Sequence, residues 1–152
     1  MLDTEAFTVI EPVADKNYVV SPYIKDLVDH VLSYLRADFP VHLCGPAGTG
    51  KSSLAMYIAA QWGRPIVMIH GDEEFRTSDL VGAEYGFRLR RVRDEYISTV
   101  KKTEEDLVRK WVDNRLTVAC KNGFTLIYDE FTRSRPEANN VLLAILEEKM
   151  LE

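Results

Sequence analysis

Residues Gly45 to Ser52 read GPAGTGKS and satisfy the pattern GxxxxGK[ST] at every fixed position. With ordinary Gly, Lys and Ser/Thr usage, chance produces this pattern in roughly half a percent of chains of this length. The residue types have a physical reason. Glycines let the backbone turn its N–H groups inward, which builds a concavity for polyanionic phosphate at a helix N-terminus, where the helix dipole also favours negative charge. The ammonium of Lys51 suits β- and γ-phosphates, and the hydroxyl of Ser52 suits a Mg²⁺ bridging them. The flanks match the setting that the motif requires: PVHLC before it reads as a short buried strand, and KSSLAMYIAAQW after it is strongly helix-forming up to Gly63. Candidate nucleotide-binding residues are therefore Gly45, Pro46, Ala47, Gly48, Thr49, Gly50, Lys51, Ser52 and Ser53, with ATP and Mg²⁺ as the ligands.

The rest of the chain extends an α/β pattern. Residues 1–20 show no sustained period and read as an extended arm, leaving 21–152 as the domain. Ser21 and Pro22 predict a helix start, and Ile24, Leu27, Val28, Val31, Leu32 and Leu35 recur at helical spacing to about residue 37. PIVMIHG is a second strand candidate, so strand, loop, helix and strand follow one another as in a parallel α/β unit. The stretch 72–102 is long and polar, with Arg88, Arg90, Arg91 and Arg93 clustered in it. Thr103, with Asp106 three residues on, predicts a capped helix whose stripe is Leu107, Val108, Trp111, Val112, Leu116 and Ala119, ending at Gly123. FTLIYDE is the third strand candidate, and Pro136 opens a last helix with Ala138, Val141, Leu142, Ile145 and Leu146 on one face.

A hydrolysing phosphate-loop protein needs an acid near Mg²⁺ and a base for water, and TLIYDE supplies two carboxylates at the end of an apolar run. Asp129 is the candidate metal residue together with Ser52. Glu130 is the candidate base, and with Lys51 it makes up the catalytic pair. Adjacent strand residues face opposite sides, but at a strand terminus the backbone turns, so both carboxylates can face one cavity.

Composition removes other classes. Nineteen Lys and Arg against 24 Asp and Glu leave a formal charge of −5, which gives no electrostatic ground for nucleic acid or an anionic membrane as partner. There is no apolar run of about 18 residues, and the acidic start MLDTEAFTVIEPV does not resemble a signal peptide, so a cytoplasmic protein is expected. Cys44 and Cys120 stand outside any CxxC and read as reduced core fillers. His30, His42 and His70 are scattered, which argues against a metal cluster or a histidine-based triad.

GPAGTGKS, SDLVG at 78–82 and YDEFTRSRPEANNVLLAILEE at 128–148 together resemble the MoxR-type branch of AAA+ ATPases. Within it, HGDEEFRTSDLVG and KTEEDLVRKWVDNRLT are similar to the gas vesicle protein N family, from Tyr23 onward. The resemblance implies an ATP hydrolase with a P-loop AAA+ core, a parallel sheet flanked by helices. It also implies an accessory role in gas vesicle assembly as an oligomeric ring, associated with gas vesicles and acting on shell or accessory proteins. Two alternatives are a MoxR-type chaperone that activates a metalloenzyme and a catalytically silent nucleotide-binding scaffold. On the same resemblance, residues 45–52 match the Walker A loop, Asp129 and Glu130 match Walker B, and the Phe87 to Tyr96 region corresponds to a hairpin projected near the ring pore. The arginine cluster there is either a contact for an acidic partner or a solvated loop. Arg133 and Arg135 either face a neighbouring subunit's nucleotide or are surface charges beside a helix start.

The family continues past Walker B with a sensor strand, an arginine finger and a helical lid, whereas 22 residues follow Glu130 here. The expectation is a partial core that lacks its C-terminal part and the lid, with apolar edges left beside the absent strand and with little turnover of nucleotide.

Overall fold

The computed structural model of the chain describes residues 9–92 and 103–150, and in the stretches 87–92 and 103–108 the backbone alone. Ser21 and Pro22 open the first helix by the chemistry that their types suggest. The Ser21 hydroxyl accepts from the Ile24 amide at 3.3 Å, and Pro22 takes the first turn of α1 (Pro22–Arg36), where its missing N–H costs nothing. Its buried face, Val28, Val31 and Leu32, packs on Leu54 and Ile58 of α2 (Lys51–Trp62). Ahead of α1, β1 (Val9–Ile10) pairs antiparallel with β2 (Ile66–His70), and a turn follows in which the Tyr18 amide donates to the Asp15 carbonyl at 3.1 Å.

Beyond β2 the order is α3 (Thr77–Val81), β3 (Gly82–Val92), β4 (Thr103–Asp113), α4 (Arg115–Asn122) and β5 (Thr125–Asp129). A 3-10 turn (Phe131–Arg133) then leads to α5 (Pro136–Leu143), which runs on into one π turn (Ala144–Glu148). The described strands make two sheets: β1-β2-β5, with β2 and β5 parallel in register from Ile66 opposite Thr125 to His70 opposite Asp129, and the antiparallel pair β3-β4. Ile66, Val67 and Ile69 of β2 are all but inaccessible, as a strand of β-branched residues covered on both faces should be. Ile69 joins Phe75, Leu80, Val81, Leu116 and Ala138 in one core cluster, and the α1–α2 contact makes the other. The fold is thus the α/β arrangement expected, with a parallel pair and flanking helices.

Two local expectations are overturned. The stretch from Thr103 to Asp113 is a strand, and the helix begins only at Arg115, capped by the Asn114 side chain, which accepts from the Arg115 amide at 2.8 Å. Helical spacing in 103–112 is outweighed by an 11-residue partner strand, β3. The register sets Arg90 opposite Glu105 and Arg91 opposite Glu104, cross-strand placements of opposite charge that favour pairing and that no local window contains. From Gly82 to Val92 the long polar stretch is therefore paired strand, and the end of the Phe87 to Tyr96 region lies outside the described residues; Arg88, Arg90 and Arg91 lie on β3, and Arg93 falls outside the described residues.

The second correction concerns PVHLC, which belongs to neither sheet. Pro40, Val41, His42 and Cys44 are exposed, and only Leu43 packs partly against the α1–α2 cluster. A strand requires a hydrogen-bonded neighbour, and a groove lies between this segment and β5. Cys44 and Cys120 are accordingly surface thiols and not core fillers.

The hairpin is fastened at its base. The buried Thr117 hydroxyl donates to the Val81 carbonyl at 2.7 Å, the Asn114 amide N–H donates to the same carbonyl at 3.0 Å, and Asp113 accepts from Lys121 at 2.5 Å and Trp111 Nε1 at 2.9 Å. Gly82 stands at the join with φ 131° and ψ 177°, a conformation open to glycine almost alone, and a Cβ there would lie 2.3 Å from the Val112 carbonyl oxygen. Gly82→Ala should therefore destabilise the chain by about 2 kcal/mol or more, combining backbone strain with a clash against main chain. Thermal unfolding followed by circular dichroism checks this; an unchanged melting temperature would show that the hairpin can re-seat at no cost.

Candidate functional site

The glycine-rich loop takes the form its glycines permit. Gly48 and Gly50 adopt φ of 77° and 82°, left-handed backbone that a side chain would strain, and Gly50 immediately precedes α2. The Thr49 hydroxyl donates to the Pro46 carbonyl at 2.9 Å, closing the loop on itself. The Lys51 ammonium folds over the loop and donates to the carbonyls of Gly45 at 3.0 Å and Pro46 at 2.7 Å. Both partners are neutral carbonyls, so neither bond sets a carboxylate against an anion for the Lys51 ammonium.

Strand β5 brings the acid to this loop. The Ser52 hydroxyl donates to Asp129 Oδ2 at 2.6 Å, a contact spanning 77 residues of sequence. Directly after Asp129 the chain turns: Glu130 has φ 50°, left-handed for a residue with a side chain, and its amide donates to Asp129 Oδ1 at 3.0 Å. That turn defeats the alternation of a strand, and Asp129 and Glu130 both border one groove with Lys51 and Ser52. The groove has a volume of about 550 Å³ and runs between β5 and the 40–44 segment. Gly45 and Ala47 also line it, while Pro46, Gly48, Thr49 and Gly50 complete the loop outside its wall, and Ser53 is exposed on the first turn of α2.

The unusual backbone at Glu130 is held from three sides. Gly71 packs so closely that a Cβ on it would sit 2.6 Å from the Glu130 carbonyl oxygen and 2.5 Å from Ser134 Oγ. The Tyr128 hydroxyl lies 2.8 Å from Ser134 Oγ and 3.0 Å from Asn139 Oδ1, and Asn139 Nδ2 donates to the Phe131 carbonyl at 3.1 Å. Phe131 meets the His42 ring edge-on at 4.8 Å between centroids, which ties the turn to the 40–44 segment. Burial, the largest influence, pushes the Tyr128 phenol above its ordinary value, although the bond to Ser134 opposes the shift. Arg133 Nη1 donates to Glu130 Oε2 at 2.6 Å, and that carboxylate holds the guanidinium protonated beyond its ordinary range.

Sequence reading did not find Tyr128, Ser134 and Asn139. Tyr128 reads as one more apolar strand residue, and Asn139 merely interrupts no stripe on α5, so no local signal marks their mutual bond. Among the described residues, no three His, Cys, Asp or Glu side chains cluster so as to cage a metal ion.

A helix N-terminus behind a glycine loop, facing two carboxylates at the end of a parallel strand, defines a P-loop nucleotide-binding domain. The profile of the AAA domain (dynein-related subfamily) matches residues 40–152, and the chain belongs to that family. It is 50% identical over 142 residues to the gas vesicle ATPase GvpN of Ancylobacter aquaticus, which covers 93% of this chain and 40% of that protein. It is 43% identical over 139 residues to the gas vesicle ATPase GvpN1 of Halobacterium salinarum, covering 91% of this chain and 40% of that one. A more distant likeness, 26% over 114 residues, is to protein NorQ of Paracoccus denitrificans, covering 75% of this chain and 36% of that protein. The chain thus spans 40% of the length of the gas vesicle relatives. The recognised motifs and the gas vesicle likeness agree with the family that the sequence suggests. No helix among the described residues is long and apolar enough to cross a membrane.

Replacing Tyr128 by Phe removes the hydroxyl from a half-buried network and leaves Ser134 and Asn139 to repair it. Stability should fall by about 1 kcal/mol, with the phenolate absorbance step lost from the upper end of the ultraviolet pH titration. Denaturant unfolding of the two proteins and the titration check the magnitude and the assignment together.

Proposed function

We propose that this chain binds ATP with Mg²⁺ and carries the catalytic half-site of an AAA+ ATPase that serves gas vesicle assembly. The observation that carries the reading is the meeting of Lys51, Ser52, Asp129 and Glu130 on one groove at the phosphate loop. The likeness to gas vesicle ATPases supports the assembly role, with vesicle shell or accessory proteins as partners and a homo-oligomeric ring as the working form.

The residues fit a magnesium ion. Ser52 Oγ and Asp129 Oδ2 are hard oxygen donors 2.6 Å apart, and one carboxylate with one hydroxyl suits an ion that fills its remaining positions with water and phosphate oxygens. Bound there, Mg²⁺ would neutralise charge on the phosphates. The chain's own residues do the rest. Main-chain amides of the loop and of the first turn of α2 receive phosphate oxygens, and Lys51 exchanges its carbonyl partners for phosphate, a stronger charge-assisted bond. Asp129, bonded to Ser52, would hold the metal side. Glu130, turned toward the groove by its left-handed backbone, accepts a proton from the attacking water.

A second reading, binding without turnover, is favoured by a specific observation. Among the described residues, β5 is paired on one side only and the 40–44 segment that leads into the phosphate loop is unpaired, so the loop and the two acids are not joined through one described sheet. Catalysis by electrostatic preorganisation needs groups held within fractions of an ångström, and a strand joining these two edges would supply that rigidity. We propose that such a strand, or a partner supplying it, is needed for robust hydrolysis.

Calorimetry with Mg²⁺-ATP, phosphate release and mass in solution test both readings on wild type, Lys51→Ala and Glu130→Gln. Wild type should bind, Lys51→Ala should lose at least about tenfold in affinity, the equivalent of one charge-assisted bond, and Glu130→Gln should retain binding. Absence of heat with wild-type protein would overturn the nucleotide reading, and strong phosphate release by the chain alone, lost in Lys51→Ala, would overturn the second. Co-purification separates clients: vesicle proteins support the assembly role, and a metalloenzyme subunit the MoxR-type activator.

A further inference from the structure

Arg133 is one of two cations lining the groove, the other being Lys51, and the two stand against Asp129 and Glu130. Its guanidinium takes one oxygen of the Glu130 carboxylate, the same carboxylate that the proposed hydrolysis needs for water. The guanidinium takes up one lone-pair position on that oxygen and leaves Oε1 outside the pair. The backbone beneath the pair is fixed: the Arg133 amide donates to the Glu130 carbonyl at 2.9 Å, the Ser134 amide to the Phe131 carbonyl at 3.2 Å, and Asn139 and Gly71 hold the turn from outside. The two side chains are the part free to rearrange, since that of Arg133 is 61% exposed and that of Glu130 54%.

Exposed ion pairs are weak, and a guanidinium binds phosphate through two parallel bonds with more charge behind them. A triphosphate tail held by the loop and Lys51 brings its last phosphate toward the acids, into a groove whose lining charges otherwise balance. Competition for Arg133 then favours the phosphate. A diphosphate ends sooner and offers less.

We propose that Arg133 is a specificity-determining residue that exchanges between the Glu130 carboxylate and the terminal phosphate of a nucleoside triphosphate bound to the same chain. The exchange distinguishes ATP from ADP and releases Glu130 Oε2 from the ion pair when the third phosphate is bound. The inference rests on the nucleotide-binding reading above and assigns Arg133 a role within its own subunit, in contrast to one toward a neighbouring subunit's nucleotide.

The test is calorimetry with Mg²⁺-ATP and Mg²⁺-ADP on wild type, Arg133→Ala, Arg133→Lys, Glu130→Gln and the double variant Arg133→Ala/Glu130→Gln. Arg133→Ala should weaken ATP about tenfold, one charge-assisted contact, and leave ADP within about twofold, with Arg133→Lys in between. Glu130→Gln should tighten ATP by releasing Arg133, and that gain should vanish in the double variant. Any gain from merely removing a negative charge near phosphate would persist there, so the double variant tells the two apart. Equal losses for ATP and ADP in Arg133→Ala, or a Glu130→Gln gain that survives without Arg133, would overturn the proposal while leaving nucleotide binding intact. Failure of the wild type to bind either nucleotide would overturn both.

Discussion

The parallel register of β2 and β5 is the constraint to which the rest of the site is referred. It sets His70 opposite Asp129 and so brings the end of β5 level with the end of β2, beside the first turn of α2. A slip of one residue would exchange the faces of every β5 side chain, sending Tyr128 toward Ser52 and Asp129 into the core side occupied by Phe75 and Val141. Burial on both sides of β2 resists that slip, because Ile66, Val67 and Ile69 have no accessible face to give up. The Ser52 to Asp129 bond is then a consequence of register, and by itself it contributes little to stability.

The left-handed backbone at Glu130 depends on that frame. Left-handed geometry costs a side-chain-bearing residue of the order of 1 kcal/mol or more and persists only where neighbours over-determine it. Here the neighbours are Gly71, whose lack of a Cβ admits the Glu130 carbonyl, and the Tyr128–Ser134–Asn139 bonds that stitch the following turn to α5. The strain is spent on direction: it swings two consecutive carboxylates toward one groove. Helix α5 is thereby coupled mechanically to the proposed base, which gives a contact on that helix a physical route to the chemistry.

The groove itself reports a division in the domain. The phosphate loop is held from below by α2 and the α1–α2 cluster, while the acids are held by β2, β5 and the cluster around Ile69. Between the two lie the His42–Phe131 contact and the Ser52–Asp129 bond, with no shared sheet hydrogen bonds. PVHLC, apolar enough for a buried strand, is mostly exposed and lies outside both described sheets. The hairpin is the contrasting case. Two of its arginines are matched across the register, Arg90 opposite Glu105 and Arg91 opposite Glu104, while Arg88 stands opposite Leu107.

The loop GPAGTGKS, the start of α1 at Ser21-Pro22, the end of α2 at Gly63 and the acids closing β5 are all legible in the sequence. Each is written in residues within one turn or one strand of each other, where capping, glycine geometry and apolar runs act locally. The strand at 103–113 is not, because its Thr103–Asp106 capping signature and helical stripe are local while the partner that decides the matter is β3. Nor is the Tyr128–Ser134–Asn139 network, or the pairing of Arg133 with Glu130, since both depend on the backbone turn beside Gly71. The amino-acid sequence alone thus determines the phosphate-binding chemistry and the residue types available to it. Tertiary structure decides which strands pair and which way consecutive side chains point, because hydrogen-bond partners and backbone torsions at a strand end are set by neighbours distant along the chain.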